Sequence, residues 1–401
     1  MSEEIFLDHI NNILKSSSHD RNLHEIYDQR KEELDLSDSQ IANVLQIDYN
    51  TLKRILRKEA KKIDYFLLLK LSHFLKIEPN ELANIYHQDD THKVSELGSV
   101  SKRTYLVENF DLKSLKSIGF IDSINDFESI ENRILEYFGL DRLSDYDRLM
   151  TGVMFSNSNQ KPQEKMRTFW IKSCYAMFEK IHNPNEYDRN SLKELIPKIR
   201  PYTKDVKKGF KIVIQALYNA GVTVIYQPYL KNTQVRGGTF IVNGKPCIVI
   251  TNYQKRYPTI WFALIHELHH VLYDLDDIKR NNTFHLTGEE RSELFLLQED
   301  KADEFAREIL FSDDKMKYVE PMINNKHIVE SQAEKYNVHP SIIYVFYQWD
   351  HQDENPNIWG AFNDLIPDSD EAVKDLNLIP WEKETIEQGV KELKSKIQTF
   401  N

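Results

Sequence analysis

The stretch Trp261-Phe262-Ala263-Leu264-Ile265-His266-Glu267-Leu268-His269-His270 decides how the rest of the sequence is read. Its apolar residues Trp261, Leu264, Ile265, Leu268 and, one turn on, Leu272 recur at helical spacing and predict a helix with an apolar face. Pro258, whose fixed φ suits a first helical turn, opens that helix, and the pattern carries it to about Tyr273. His266 and His270 are four apart, so their imidazoles fall one turn apart on the same side.

Working outward, Thr239-Phe240-Ile241-Val242 and Cys247-Ile248-Val249-Ile250 flank Asn243-Gly244. That dipeptide predicts a hairpin, because both central positions of a type I′ turn need positive φ. Val222-Thr223-Val224-Ile225-Tyr226 is rich in β-branched residues and reads as a strand. Before it, Val206 to Ala220 reads as a helix with Gly221 as its stop signal. A second helix is expected downstream over roughly Arg291 to Leu310, with further helices ending near Phe400. Residues from about 105 to 200 read mostly as helical scaffold, with Ile130, Ile134, Leu135 and Phe138 at helical spacing.

The spacing of His266, Glu267 and His270 is the HExxH arrangement of zinc peptidases. Zinc accepts nitrogen and oxygen ligands tetrahedrally and acidifies a water to near neutrality, and Glu267 stands where it can take that water's proton. A catalytic site needs a third protein ligand. Asp276 has the short-range spacing, but that geometry calls for a glycine where this chain has Tyr273. Glu299 on the next helix is preferred. Asp303, one turn later, would accept a hydrogen bond from a ligating imidazole. Glu289, Glu290 and Glu293 read as a solvated acidic turn, and His269 as flanking the ligand face. His285, His327 and His339 read as ordinary surface or core residues, with His285 set apart by its place in the loop between the two ligand helices.

These stretches resemble the ImmA/IrrE family of metallopeptidases. The resemblance rests on Gly237-Gly238-Thr239-Phe240, on Asn243-Gly244-Lys245-Pro246, on Trp261 to His270, and on Glu299-Asp300-Lys301-Ala302-Asp303-Glu304-Phe305-Ala306. Ala333 to Ile343 adds to it, so that it covers roughly residues 204 to 348. It implies a zincin-like domain with His266, His270 and Glu299 as zinc ligands and Glu267 as catalytic base. It also implies a repressor-like or antitoxin-like protein as substrate, cleaved in a stress, phage or toxin–antitoxin response. The chain departs from the family's usual pattern at His269, where glycine is common, and at Asp274, where histidine is common.

A second pattern lies in residues 36 to 82. Ser37 would cap a short helix through Leu45, Gln46-Ile47-Asp48 would form a turn, and Tyr49 to Leu56 a second helix. Ala42 is small enough for the two helices to approach. Ile41, Ile47, Leu52 and Ile55 would close the core, supported by a stripe of Leu67, Leu68, Leu71 and Leu75. The segment resembles the helix-turn-helix of Xre-type regulators, down to Ile77-Glu78-Pro79-Asn80-Glu81-Leu82. Tyr49, Asn50, Thr51, Lys53 and Arg54 would then face DNA, in a neighbourhood made basic by Arg57, Lys58, Lys61 and Lys62. The alternative is a helical bundle for protein contact. Dimerisation is expected from the way such modules read two half-sites. Asp38 and Gln46 stand where glutamine and glycine are usual.

Composition bounds the class. A chain of 401 residues with 40% hydrophobic and 29% charged residues is long enough for several cores and reads as soluble and globular. Its net charge of -11 excludes general nucleic-acid affinity and confines any DNA contact to a local basic patch. Two distant cysteines, Cys174 and Cys247, suggest neither a disulfide framework nor a thiolate metal site. The first residues lack a secretory signal, and no apolar run is long enough for a membrane span, so a cytoplasmic protein is expected.

The expected architecture is α+β and predominantly helical. Residues 1–90 form a helix-turn-helix domain, 91–203 a connecting helical region, 204–312 the zinc peptidase core and 313–401 a helical tail. The expected function is a DNA-binding regulator with zinc metallopeptidase activity, its partners being DNA, a repressor-like protein substrate and no membrane. If the strand Cys247 to Ile250 is a sheet edge, it could hold an extended substrate by strand addition. The competing reading is a non-cleaving regulator or antitoxin whose peptidase-like domain senses a partner. A structural zinc site is a third, but it would leave Glu267 without a task.

Overall fold

The computed structural model describes residues 22–60, 63–87, 91–150, 162–230, 235–280, 285–287, 293–355, 357–376 and 380–398. These are mostly helical, with one four-stranded sheet. The chain divides into two compact units, Met1–Thr104 and Tyr105–Asn401. Among the described residues no helix is long and apolar enough to cross a membrane.

The first unit contains α1 (Leu23–Leu34), α2 (Asp38–Leu45), α3 (Tyr49–Leu56), α4 (Tyr65–Leu75) and α5 (Pro79–His87). Ser37 and Gln40 form a reciprocal capping box at the start of α2. Gln46 ends it in the left-handed region at φ 53°, a conformation glycine would adopt without strain. The Asp48 carboxylate starts α3 by accepting from the amides of Asn50 and Thr51 at 2.9 and 3.2 Å. Ile41, Ala42, Leu52, Ile55, Leu71 and Leu75 are buried, while Ile47, Leu67 and Leu68 are partly buried against them.

In the second unit one apolar cluster runs from Leu106 to Ile397, through all three segments that the sequence pattern distinguishes. Its sheet consists of β1 (Thr223–Tyr226), β2 (Gly237–Val242), β3 (Lys245–Ile250) and β4 (His285–Thr287), in the order β1-β3-β2-β4. The turn between β2 and β3 has Asn243 at φ 53° and Gly244 at φ 78°, as the hairpin reading requires.

Cys247 to Ile250 is not an edge. β3 pairs in parallel with β1 and antiparallel with β2, so both rows of its backbone groups are taken. The physical signal was in the sequence: an unbroken apolar run suits a strand covered on both faces better than an edge, and Cys247, Ile248, Val249 and Ile250 are all buried. β4 pairs with β2 at Gly237↔Thr287 through Thr239↔His285.

The helices that frame the sheet are α6 (Pro162–Ile181), α7 (Gly209–Asn219), α8 (Tyr257–Tyr273), α9 (Glu293–Phe311), α10 (Pro340–Asp350) and α11 (Ile386–Ile397). The helix α7 begins later than the pattern from Val206 suggests. The Asp205 carboxylate accepts from the amides of Lys207 and Lys208 at 3.1 Å, which holds those residues in a turn. It ends before Gly221, at φ 81°. The helix α8 lies against β2, β3 and α9. Trp261, Leu264, Ile265, Leu268 and Val271 are fully buried, each worth about 1.5–3 kcal/mol. This burial anchors α8 and offsets the cost of the four buried polar side chains it carries, His266, Glu267, His269 and His270.

Candidate metal centre

His266, Glu267 and His270 are 1%, 0% and 0% exposed, so each must be partnered inside the protein. The two imidazoles turn the same edge to each other, with Nε2 of His270 3.2 Å from Nε2 of His266. Glu299, on the facing α9, brings Oε1 to 3.3 Å from Nε2 of His270 and 3.7 Å from Nε2 of His266. These three atoms form one group able to hold a cation. Bonds of about 2.0–2.1 Å in a tetrahedron place neighbouring ligand atoms about 3.3 Å apart, so the donor set fits zinc.

The opposite edge of each imidazole is fixed by a carboxylate. Nδ1–H of His266 donates to Asp303 Oδ1 at 2.7 Å, and Nδ1–H of His270 donates to Asp274 Oδ2 at 2.7 Å. This makes Nε2 of each ring the atom that a metal would meet, and raises its basicity. Asp303 was expected in this role. Asp274 was noted only as a departure from a family pattern, yet its position four residues after His270 on one helical face is a sequence signal for such a contact.

Burial pushes both imidazoles down, but the hydrogen bonds to Asp303 and Glu299 and the charge of Glu267 outweigh it and raise His266 to about 10. His270 is raised against the same burial by Asp274 and Glu299. The surroundings therefore favour positive charge at the point where the three donor atoms meet. Replacing either outer carboxylate by its amide should weaken zinc binding by about 10- to 100-fold. Zinc titration of Asp274→Asn and Asp303→Asn against a competing chelator checks this; unchanged affinity in both would remove the outer carboxylates from the account.

Glu267 is set by the sheet. Its Oε2 accepts the Thr239 hydroxyl at 2.7 Å. Its Oε1 lies above Gly237, where a Cβ would stand 2.7 Å from it and 3.2 Å from the Val249 carbonyl oxygen. Glycine is needed here for space. Gly237→Ala is expected to lower turnover by about 10- to 100-fold with zinc retained, because a carboxylate displaced by about 1 Å loses its alignment. Turnover and zinc content measured together decide it, and unchanged turnover would mean that Glu267 does not depend on this approach.

The remaining candidates separate clearly. Asp276 is exposed on the helix Leu275–Arg280 and belongs to neither group of side chains that could hold an ion. Among the described residues, His269, His270 and Asp274 form the other such group, but Nδ1 of His270 and Asp274 already hold each other at 2.7 Å. His269 packs on Tyr273 and Phe305 at 4.8 and 5.4 Å between ring centres. Burial, then the neighbouring His270, lower it to about 4, which keeps it neutral and flanking. His285 lies in β4, and Glu293 begins α9. Glu289 and Glu290 lie outside the described residues.

In the first unit, Tyr49, Asn50, Lys53 and Arg54 are exposed on α3 and Thr51 is half-buried. The Lys53 ammonium sits 4.6 Å over the Tyr49 ring. Arg57 is exposed and Lys58 half-buried, while Lys61 and Lys62 lie outside the described residues. Asp38 is held by Lys31 at 2.6 Å and by the Tyr27 hydroxyl at 3.1 Å, so its carboxylate is engaged within the unit.

Residues 219–345 match the family model described as the IrrE N-terminal-like domain, Peptidase_M78. The matched segment contains β1 to β4, both helices of the metal centre and most of α10. No curated protein and no solved structure matches the chain.

Proposed function

We propose that this chain is a zinc-dependent peptidase whose centre is held by His266, His270 and Glu299, with Glu267 as general acid–base. The observation that carries the reading is the convergence of three donor atoms beside a buried carboxylate that the sheet holds in place. The peptidase family match over residues 219–345 supports it. Zinc bound there would supply Lewis-acid polarisation of the scissile carbonyl and bring the ionisation of water near neutral pH.

The chain's own residues do the rest. Glu267 takes a proton from the attacking water as the new C–O bond forms. It then delivers that proton to the amide nitrogen as the C–N bond breaks. Thr239 keeps one carboxylate oxygen oriented, and Gly237 leaves room for the other. Asp303 and Asp274 hold the imidazoles in the tautomer whose Nε2 faces the centre. By resemblance, the substrate is a repressor-like or antitoxin-like protein. Incubating zinc-loaded protein with candidate repressors encoded nearby, and reading products by mass spectrometry, tests the activity. A single set of cuts that disappears on chelation is expected; no zinc-dependent cut in any candidate would count against it.

We further infer that the first unit binds DNA through α3. The support is an exposed run of Asn50, Lys53 and Arg54 on a capped helix, in a chain that is otherwise acidic. Fluorescence polarisation with promoter DNA should show affinity falling steeply with salt. Lys53→Ala should reduce the slope of log affinity against log salt by about 1. Binding insensitive to salt, or a slope unmoved in the variant, would remove α3 from the contact.

A further inference from the structure

A cleft of about 330 Å³ opens directly beside His266 and Glu267, room for one large side chain with its flanking backbone rather than for a folded partner. Gly237 and Ala263 line it near the centre, and Phe262, Trp349 and Trp359 give it apolar walls. Trp349 packs edge-on against Phe262 at 4.8 Å, and Phe262 lies 6.2 Å from His266, so the aromatic wall continues into the metal site. Trp349, Asp350, Gln352 and Trp359 all lie beyond residue 345, outside the segment that matches the peptidase family.

That far wall is built firmly. Arg256, the residue before α8, donates to the Trp359 carbonyl at 2.7 Å and to Asn363 Oδ1 at 2.9 Å, and its guanidinium lies 5.1 Å from the Trp359 ring centre. It also donates to Gln348, whose amide in turn donates to the carbonyls of Ile358 and Ala361. Gln348 is fully buried. The start of the active-site helix and the loop carrying Trp359 are thereby clamped together.

Charge adds a second requirement. Asp350 and Arg307 pair at 2.8 Å, and Asp303 holds His266. Arg236, which lines the cleft, is exposed and stacked over Tyr253 at 5.5 Å, with no carboxylate partner among the described residues. A site with an apolar pocket and an exposed guanidinium that has no carboxylate partner among the described residues complements a large apolar side chain beside a carboxylate.

We propose that this cleft is a side-chain-selecting subsite, completed by Trp349, Asp350, Gln352 and Trp359, which takes an extended peptide carrying a large apolar or aromatic residue next to an acidic one. Trp349 and Trp359 determine the apolar preference and Arg236 the acidic one. The proposal rests on the peptidase reading above for its substrate, but its test is separable.

Zinc-loaded Glu267→Gln protein is titrated with fluorescent hexapeptides of alanine bearing a central Phe-Glu or Glu-Phe pair, and with the same peptides carrying glycine for phenylalanine or alanine for glutamate. The phenylalanine peptide should bind about tenfold more tightly than the glycine one. Adding Trp349→Ala or Trp359→Ala should erase most of that difference with zinc content unchanged. Adding Arg236→Gln, an exposed change that leaves the core intact, should erase only the preference for glutamate. Equal binding of all the peptides, or preferences that survive these substitutions, would overturn the proposal. The preferred peptide is then given to the zinc-loaded wild type. Selective binding without cleavage keeps the subsite and overturns the peptidase reading. Cleavage without side-chain preference does the reverse, and neither binding nor cleavage overturns both.

Discussion

Glu267→Gln should lower peptide cleavage by about a thousandfold while leaving one zinc per chain in place. The amide keeps the size of the side chain and can still meet the Thr239 hydroxyl, so α8 and its packing have no reason to move. It cannot take a proton from water at neutral pH, and that is the step the proposed mechanism assigns to the buried carboxylate. Because Glu267 lies outside the His266–His270–Glu299 donor group, metal content is the control that separates lost chemistry from lost structure. Cleavage within about threefold of wild type would assign the base to another residue, since removing a general base costs far more than that.

The second large effect is expected at Glu299. Its Oε1 completes the triangle with the two imidazole nitrogens at 3.3 and 3.7 Å. Outer carboxylates such as Asp274 tune a site by about 10- to 100-fold, and a direct ligand is worth more. Glu299→Ala should therefore weaken zinc binding by about a thousandfold or more and abolish cleavage at micromolar zinc. The control is Glu304→Ala, an exposed change on the same helix, which should do neither. Zinc retained at one per chain in Glu299→Ala under chelator competition would show that the third ligand lies elsewhere.

These predictions also mark which parts of the site were legible in the sequence. His266, Glu267 and His270 declare themselves by spacing on one helix, because helical geometry alone brings them together. Glu299 and Asp303 were reachable through the next helix and the family resemblance. Asp274 obeys the same i, i+4 rule as the histidines, and its spacing from His270 is the signal that family comparison alone does not carry.

Thr239 and Gly237 could not be assigned to Glu267 from spacing. They reach it only through the register of β2 on β3 and the packing of α8 across both. The same limit hid the cleft, whose far wall at Trp349 and Trp359 comes from a segment about a hundred residues downstream in the chain. The strand Cys247 to Ile250 forms as read, but the edge condition for substrate addition is not met. Its continuous apolar run announces burial on both faces, and β1 indeed covers the side left open for a substrate.

Zinc X-ray absorption on the purified wild-type chain tests the central claim most directly. One zinc per chain is expected, bound only by nitrogen and oxygen, with two imidazoles at about 2.0–2.1 Å and a carboxylate oxygen at about 2.0–2.2 Å. A chain that binds no zinc, or a centre with sulfur at about 2.3 Å, would contradict it.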